Sequence, residues 1–187
     1  MAAGYEATID GNSGYRTGQS PCAAGSYSQG GDSGCLPCSA TGTFAEGTGN
    51  TYCEVAQAGH KVNAQRTGED QCSAGESSSG GVDSCTPCAS GTFQSSAAQS
   101  SCETVAAGYE ATIDGSTGFR TGQSPCAAGA YSEGGDSGGQ LCRAAGAFAE
   151  GTGNTYCEVA QAGHRANAQR TGEGQCSAGE SSSGGVD

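Results

Sequence analysis

Large apolar residues stand singly along this chain and never form a run. A tyrosine or phenylalanine recurs shortly after a glycine, as in Gly4-Tyr5 and Gly42-Thr-Phe44, and Ser, Gly and Asn follow in several stretches. No segment repeats apolar residues every 3.6 positions, so almost no helix is expected. An aromatic residue followed by turn-forming residues instead predicts short two-stranded β-hairpins.

The hairpin pattern is repeated at two levels. Residues 1–83 recur at 105–187, and 15 of the 83 aligned positions differ. Three short hairpins per module, each leaning on the preceding one, predict an elongated rod. Because each copy divides into two related halves, the predicted modules are 2–55, 56–105, 106–159 and a truncated 160–187.

The composition requires something other than an apolar core to hold such a chain together. Hydrophobic residues make up 34% but are mostly Ala and Cys, Trp is absent, and Gly supplies 35 residues. Ordering the backbone costs roughly 1–2 kcal/mol per residue, and side chains this small return little burial. The 12 cysteines therefore predict a small disulfide-rich, mostly β protein from an oxidising, extracellular setting.

The cysteine spacing predicts a disulfide at the base of each loop. The first two modules both contain Cys-x12-Cys-x2-Cys, followed by a fourth cysteine after 14 or 13 residues. Neighbouring or interleaved cysteines could pair, and the similar sequence of every loop favours neighbours. The favoured pairs are Cys22–Cys35, Cys38–Cys53, Cys72–Cys85, Cys88–Cys102 and Cys142–Cys157.

The third module has lost one cysteine, since Gly139 stands where the first module has Cys35. Neighbour pairing then leaves Cys126 over. Interleaved pairing would join Cys126 to Cys142 and leave Cys157 over. A cysteine left over in a secreted protein has two interpretations, an intermolecular disulfide or a tolerated thiol.

Both ends of the chain lie within the repeat register. Met1 stands where Val105 stands in the second copy, and Asp187 corresponds to Asp83. We therefore expect a longer array, in which Cys176 pairs with a cysteine beyond Asp187.

Cysteine, glycine, proline and an aromatic residue recur at fixed offsets. The stretches are Cys22-Ala-Ala-Gly-Ser-Tyr27, Cys35-Leu-Pro-Cys38 and Gly42-Thr-Phe44, with Cys85-Thr-Pro-Cys88 and Gly91-Thr-Phe93 as counterparts. This pattern resembles the ephrin-receptor-like and tumour-necrosis-factor-receptor-like cysteine-rich repeats, over essentially all four modules. The resemblance implies an elongated ectodomain. The uniformity of the copies favours a scaffold over a set of divergent ligand-binding modules.

Four Arg-Thr-Gly triplets begin at Arg16, Arg66, Arg120 and Arg170, at intervals of 50, 54 and 50 residues. They could form a ligand-binding stripe. Alternatively, each guanidinium could bind a carbonyl, a carboxylate or an aromatic ring where two modules meet. A regular array needs a repeated junction contact, which favours the structural interpretation.

Several motifs match enzymes or metal sites by spacing alone. The Cys-x2-Cys pairs lie too far apart for a zinc ribbon, and residues 85–88 lack the helix of a thioredoxin-type site. Residues 135–139 match the trypsin-like nucleophile motif, but their equivalents at 31–35 form an ordinary turn sequence ending in cysteine. Asp10 begins a loop that lacks the acidic ligand set of an EF-hand. We expect no catalytic activity, cofactor or metal.

The charge distribution limits the choice of partners. A net charge of −12, with seven dispersed basic residues, argues against nucleic-acid binding, and no apolar run is long enough to cross a bilayer. The predicted function is a secreted or cell-surface structural protein that self-associates into a disulfide-stabilised stalk, surface hair or filament. The alternative is a receptor or adhesion ectodomain. The serine-rich turn at 76–79 is a candidate for O-linked glycans.

Overall fold

The computed structural model describes residues 1–31, 34–135 and 138–185. Over these ranges the chain forms two-stranded antiparallel hairpins and no helix, which confirms a small disulfide-rich, mostly β fold. Each odd-numbered strand pairs with the even-numbered strand that follows it. The strands are β1 (Tyr5–Ile9), β2 (Arg16–Pro21), β3 (Ser26–Tyr27), β4 (Leu36–Pro37), β5 (Thr43–Phe44), β6 (Glu54–Val55), β7 (His60–Val62), β8 (Glu69–Gln71), β9 (Glu76–Ser77), β10 (Thr86–Pro87), β11 (Thr92–Phe93), β12 (Glu103–Thr104), β13 (Tyr109–Ile113), β14 (Arg120–Pro125), β15 (Ala130–Tyr131), β16 (Gln140–Leu141), β17 (Ala147–Phe148), β18 (Glu158–Val159), β19 (His164–Ala166) and β20 (Glu173–Gln175).

The hairpins are too short to be stable alone. The two longest are β1–β2 and its counterpart β13–β14, and β1–β2 pairs Tyr5 with Pro21 and contains a register shift between Thr8 and Ile9. The next hairpin, β3–β4, has only two residue pairs. An isolated two-stranded hairpin is marginal in water, so neighbouring hairpins must stabilise one another.

Backbone hydrogen bonds join each hairpin to the next. The Gly25 N–H donates to the Ala45 carbonyl at 2.8 Å, and the Ala45 N–H donates to the Arg66 carbonyl at 3.0 Å. The Gly59 N–H donates to the Ser78 carbonyl at 2.7 Å in the same way. Small side chains at these turns let the backbones approach, so Gly and Ala serve this fold better than large apolar residues.

The buried apolar residues form small separate clusters. Phe44, Ala56 and Val62 make one cluster. Its counterpart in the second copy is formed by Phe148, Ala160 and Ala166. Each cluster sits between two hairpins, so burial supports a junction rather than one central core.

Contacts divide the chain into two compact units. One comprises Met1–Thr86 with Ser96–Ser101, and the other comprises Pro87–Ser95 with Cys102–Asp187. The finer division into four modules and the elongated rod stay predictions. Within the ranges described above, the chain has no helix with the length and apolar character that a bilayer span requires.

Candidate functional site

Five disulfides join cysteines that are neighbours in the sequence. They link Cys22–Cys35, Cys38–Cys53, Cys72–Cys85, Cys88–Cys102 and Cys142–Cys157, across sequence separations of 13 to 15. In four of these pairs, the N–H of the first cysteine also donates to the carbonyl of the glycine that immediately precedes the hairpin before it. The Cys38 N–H donates to the Gly25 carbonyl, and the Cys72 N–H donates to the Gly59 carbonyl, both at 2.9 Å. Each disulfide therefore anchors a loop at a hairpin junction.

Cys126 keeps the same backbone position without forming a disulfide of this series. Its N–H donates to the Gly108 carbonyl at 2.9 Å, and its thiol side chain is 0% exposed. Gly139 lies opposite, and its N–H donates to Glu110 Oε2 at 3.0 Å. An intermolecular disulfide would require this thiol to leave the interior, so the burial favours the tolerated thiol. Cys176 is a half-buried thiol.

A glycine at the start of one hairpin packs against the backbone of the hairpin two further along. Gly42 has a φ of +68°, and a Cβ there would overlap the carbonyl group of Gly81. Only glycine combines this backbone conformation with so close an approach. The same contact recurs at Gly4 with Gly49, Gly59 with Ala98, Gly91 with Gly135, and Gly108 with Gly153.

Arg66 ties the second predicted module to the first. Its guanidinium donates to the carbonyls of Ala40 at 2.7 Å and Thr43 at 3.1 Å. It also forms an ion pair with Asp83 at 2.8 Å. The Arg66 backbone has a φ of +58°, and its carbonyl accepts the Ala45 N–H. One residue therefore supplies both a side-chain and a backbone contact to the preceding hairpin.

Two of the other periodic arginines also bind carbonyls of the preceding module, and Arg170 uses the same two positions as Arg66. Arg120 donates to the Cys88 carbonyl at 3.2 Å, and Arg170 donates to the carbonyls of Ala144 and Ala147. Arg16 is exposed at the start of β2. Arg66, Arg120 and Arg170 each lie in a predicted module that follows another one. Each of them therefore contacts the module before its own.

Asp83 is a junction residue that sequence reasoning missed. Its carboxylate accepts the Gly42 N–H at 2.8 Å as well as pairing with Arg66. The Gly42 hydrogen bond, together with Arg66, lowers the pKa of Asp83 below its ordinary value. The one available signal was its fixed distance after Arg66, which Asp187 repeats after Arg170.

The aspartates at the tips of the first and seventh hairpins form Asx turns. Asp10 Oδ1 accepts the N–H groups of Asn12 and Ser13. In the second copy, hydrogen bonds from the Ser116 and Thr117 hydroxyls and N–H groups lower the pKa of Asp114 to about 2. These hydrogen bonds show that the aspartates at the hairpin tips serve to form local turns.

The remaining sequence motifs do not assemble into a site. Cys85 and Cys88 belong to two different disulfides. Asp136 and Ser137, at the centre of the protease-like motif, lie outside the described residues. Among the residues that the structure does describe, no three His, Cys, Asp or Glu side chains are grouped to hold a metal ion. In the candidate glycan turn, Ser78 is 5% exposed.

Comparison with known families finds one match. Residues 75–120 match the family described as tyrosine-protein kinase ephrin type A/B receptor-like. No curated protein matches the chain. The matched segment runs from the fifth to the seventh hairpin and includes Cys85, Cys88 and Cys102.

Proposed function

Because the chain is a cysteine-rich, ephrin-receptor-like repeat protein, we propose that it is a structural element of an extracellular stalk, surface hair or filament. Its mechanism is mechanical. Backbone hydrogen bonds join each hairpin to the next, and an arginine joins each module to the preceding one, so adding modules extends one regular assembly. The proposal assigns no catalytic role to the chain.

The observation that carries this proposal is the repetition of one junction. Arg66, Arg120 and Arg170 each bind a carbonyl in the module before them. Copies that differ at 15 of 83 positions keep the contact of Arg66 with Ala40 and Thr43 as that of Arg170 with Ala144 and Ala147. Repeat proteins gain stability from interfaces between neighbours, and a scaffold needs every such interface to be equivalent.

The disulfides support an extracellular location. Five bonds form in a chain whose apolar clusters are small. Such bonds persist in oxidising compartments and are rare in the cytosol. We therefore assign the protein to the cell surface or the secreted material.

The test is a series of chains with one, two and four copies of the 104-residue repeat, measured by small-angle X-ray scattering under oxidising conditions. Each time the number of copies doubles, the radius of gyration of a linear array should roughly double. The radius of gyration of a compact particle would increase only about 1.3-fold. Electron microscopy of the native material should show regular fibres. Compact growth, or isolated particles at all concentrations, would contradict the proposal.

A receptor or adhesion ectodomain is the second candidate, and the family match at 75–120 favours it. A receptor would place ligand contacts on one module, so alanine scanning should find a single patch on which cell binding depends. A scaffold should instead show effects spread evenly over equivalent positions of every module.

A further inference from the structure

Two open grooves occupy equivalent positions in the two copies. The first has a volume of about 230 Å³ and is lined by Tyr27, Tyr52 and the Cys38–Cys53 disulfide. The second has a volume of about 400 Å³ and is lined by their counterparts, including Tyr131 and Tyr156. The same nine sequence positions line both grooves. Each groove lies within a single compact unit.

One tyrosine of each groove is largely exposed, whereas Tyr131 also packs against the buried cluster of Cys142, Ala147 and Ala149. Tyr52 is 62% exposed and Tyr156 is 64% exposed. The second module carries Ser77 and Ser101 at the two tyrosine positions and still forms its three hairpins. Folding therefore does not explain why the exposed ring recurs at Tyr52 and Tyr156.

Several residues beside the rings, most of them polar in at least one copy, differ between the copies. Four of the nine lining positions differ, compared with 15 of the 83 aligned positions overall. A fixed pair of rings beside altered polar groups is the pattern of two related binding sites with different preferences. The four changes are Gln29 to Glu133, Pro37 to Leu141, Ser39 to Arg143 and Thr43 to Ala147.

We propose that these two grooves bind neutral saccharides. A sugar ring offers an apolar C–H face, which can stack on an exposed tyrosine, and a rim of uncharged hydroxyl groups. Gln29, Ser39 and Thr43 supply uncharged donors and acceptors for such hydroxyls beside the first groove. The site is independent of the proposed structural role, since each groove is lined by residues of one predicted module and does not require a fibre to form.

Other ligand classes fit the grooves less well. A net charge of −12 repels polyanions such as sulfated glycans. A peptide that adds a strand needs a row of free backbone groups. The strand at the first groove, β4, has two residues, and one is Pro37, which has no N–H. A sugar needs only ring faces and side-chain polar groups.

The experiment uses the intact oxidised chain and nuclear magnetic resonance of its seven tyrosines, which are free of tryptophan overlap. The probes are methyl glycosides of glucose, galactose, mannose and N-acetylglucosamine, with their β-linked disaccharides. At least one probe should show saturation transfer from the protein and should shift the ring signals of Tyr52 or Tyr156.

Variants assign the effect to the grooves. Tyr52→Ala should weaken binding at the first groove about tenfold and leave the second unchanged, whereas Tyr52→Phe should retain most of the binding. Tyr15→Ala is the matched control, because Tyr15 is 76% exposed and lines neither groove. Exchanging the polar rim by Gln29→Glu with Ser39→Arg should give the first groove the sugar preference of the second.

Three results would overturn the proposal. One is the absence of tyrosine shifts with every sugar. Another is an equal loss of binding in Tyr15→Ala, which would indicate non-specific contact. The third is a proline-rich peptide that shifts the groove tyrosines when no sugar does, which would assign the grooves to a protein partner.

Discussion

Gly139 and Cys126 retain the geometry of a disulfide pair from which one half is missing. A Cβ placed on Gly139 would lie 3.1 Å from Cys126 Sγ. A disulfide requires close to this separation between the Cβ of one cysteine and the Sγ of the other. The equivalent pair, Cys22 and Cys35, is bonded with its Cα atoms 5.5 Å apart. The loss of the cysteine therefore left the surrounding backbone in place.

We expect Gly139→Cys to form a sixth disulfide, with Cys126, during oxidative folding. Closing a loop of this size should raise the free energy of unfolding by about 3 kcal/mol, because the disulfide lowers the conformational entropy of the unfolded chain. Peptide mapping by mass spectrometry and thermal unfolding measure the two effects. Gly139→Ser is the control, since it adds a side chain without a thiol. A variant that folds but keeps its new thiol reduced would contradict the inferred geometry.

The contact between Gly42 and Gly81 should make position 42 intolerant of any side chain. Gly47 provides a matched control, because both glycines have a φ of +68° but a Cβ on Gly47 would meet nothing within 4 Å. The two alanine variants share the same backbone strain. The difference between their free energies of unfolding therefore reports the clash between the new Cβ at position 42 and the carbonyl group of Gly81. Gly42→Ala should be less stable than Gly47→Ala by about 1–3 kcal/mol, measured by guanidinium unfolding. Equal stabilities would show that the junction can open at no cost.

Asp83 should act at its junction mainly as a hydrogen-bond acceptor for the Gly42 N–H. Asp83→Ala should therefore destabilise the chain more than Asp83→Asn, because the amide oxygen can still accept that hydrogen bond. Guanidinium unfolding at neutral pH compares the two variants. Equal losses in the two variants would assign the effect to the ion pair with Arg66, which both substitutions remove and which is partly exposed and expected to be weak.

Acid should weaken the same junction. The pKa of Asp83 is lowered in the folded chain, so its stabilising contribution is complete above the unfolded pKa of about 3.9. That contribution is lost as the pH falls through the lower, folded pKa. Unfolding midpoints of the wild type and Asp83→Asn should therefore converge at acid pH. If the difference between the two unfolding midpoints instead increased on acidification, this assignment would be contradicted.

The two Asx turns should titrate differently, although their sequences are nearly the same. Ser116 donates its hydroxyl to Asp114, and Asn12 occupies the equivalent position beside Asp10. Ser116→Ala should raise the pKa of Asp114 from about 2 towards its ordinary value, while Asn12→Ser should lower the pKa of Asp10 further. Carbon-13 titration of the carboxyl groups measures both aspartates in one sample. A shift of both pKa values in either single variant would point to a long-range cause instead.

Local pattern was enough to predict the hairpins and, over the residues that the structure describes, the absence of helix. The repeated sequence of each loop favoured pairing neighbouring cysteines, and the structure joins those pairs. Periodicity also pointed to Arg66 and its relatives as junction residues. These features depend on residues close in sequence, or on a spacing that recurs, so they can be recognised without coordinates.

The partners at each junction could not be predicted in this way. Glycine and alanine occur throughout the chain, so nothing marked Gly42 and Gly81 as a contact pair. Asp83 resembles any other surface acid until its distance to the Gly42 N–H is known. The burial of the Cys126 thiol likewise depends on surrounding hairpins rather than on its own neighbours in the chain.

The sequence by itself determined what each repeat is: short hairpins, closed by sulfur because the side chains are too small to form a large core. Only the tertiary structure decided how one hairpin rests on another. That contact is made by backbone atoms, which are the same in every residue and therefore leave almost no trace in the order of side chains.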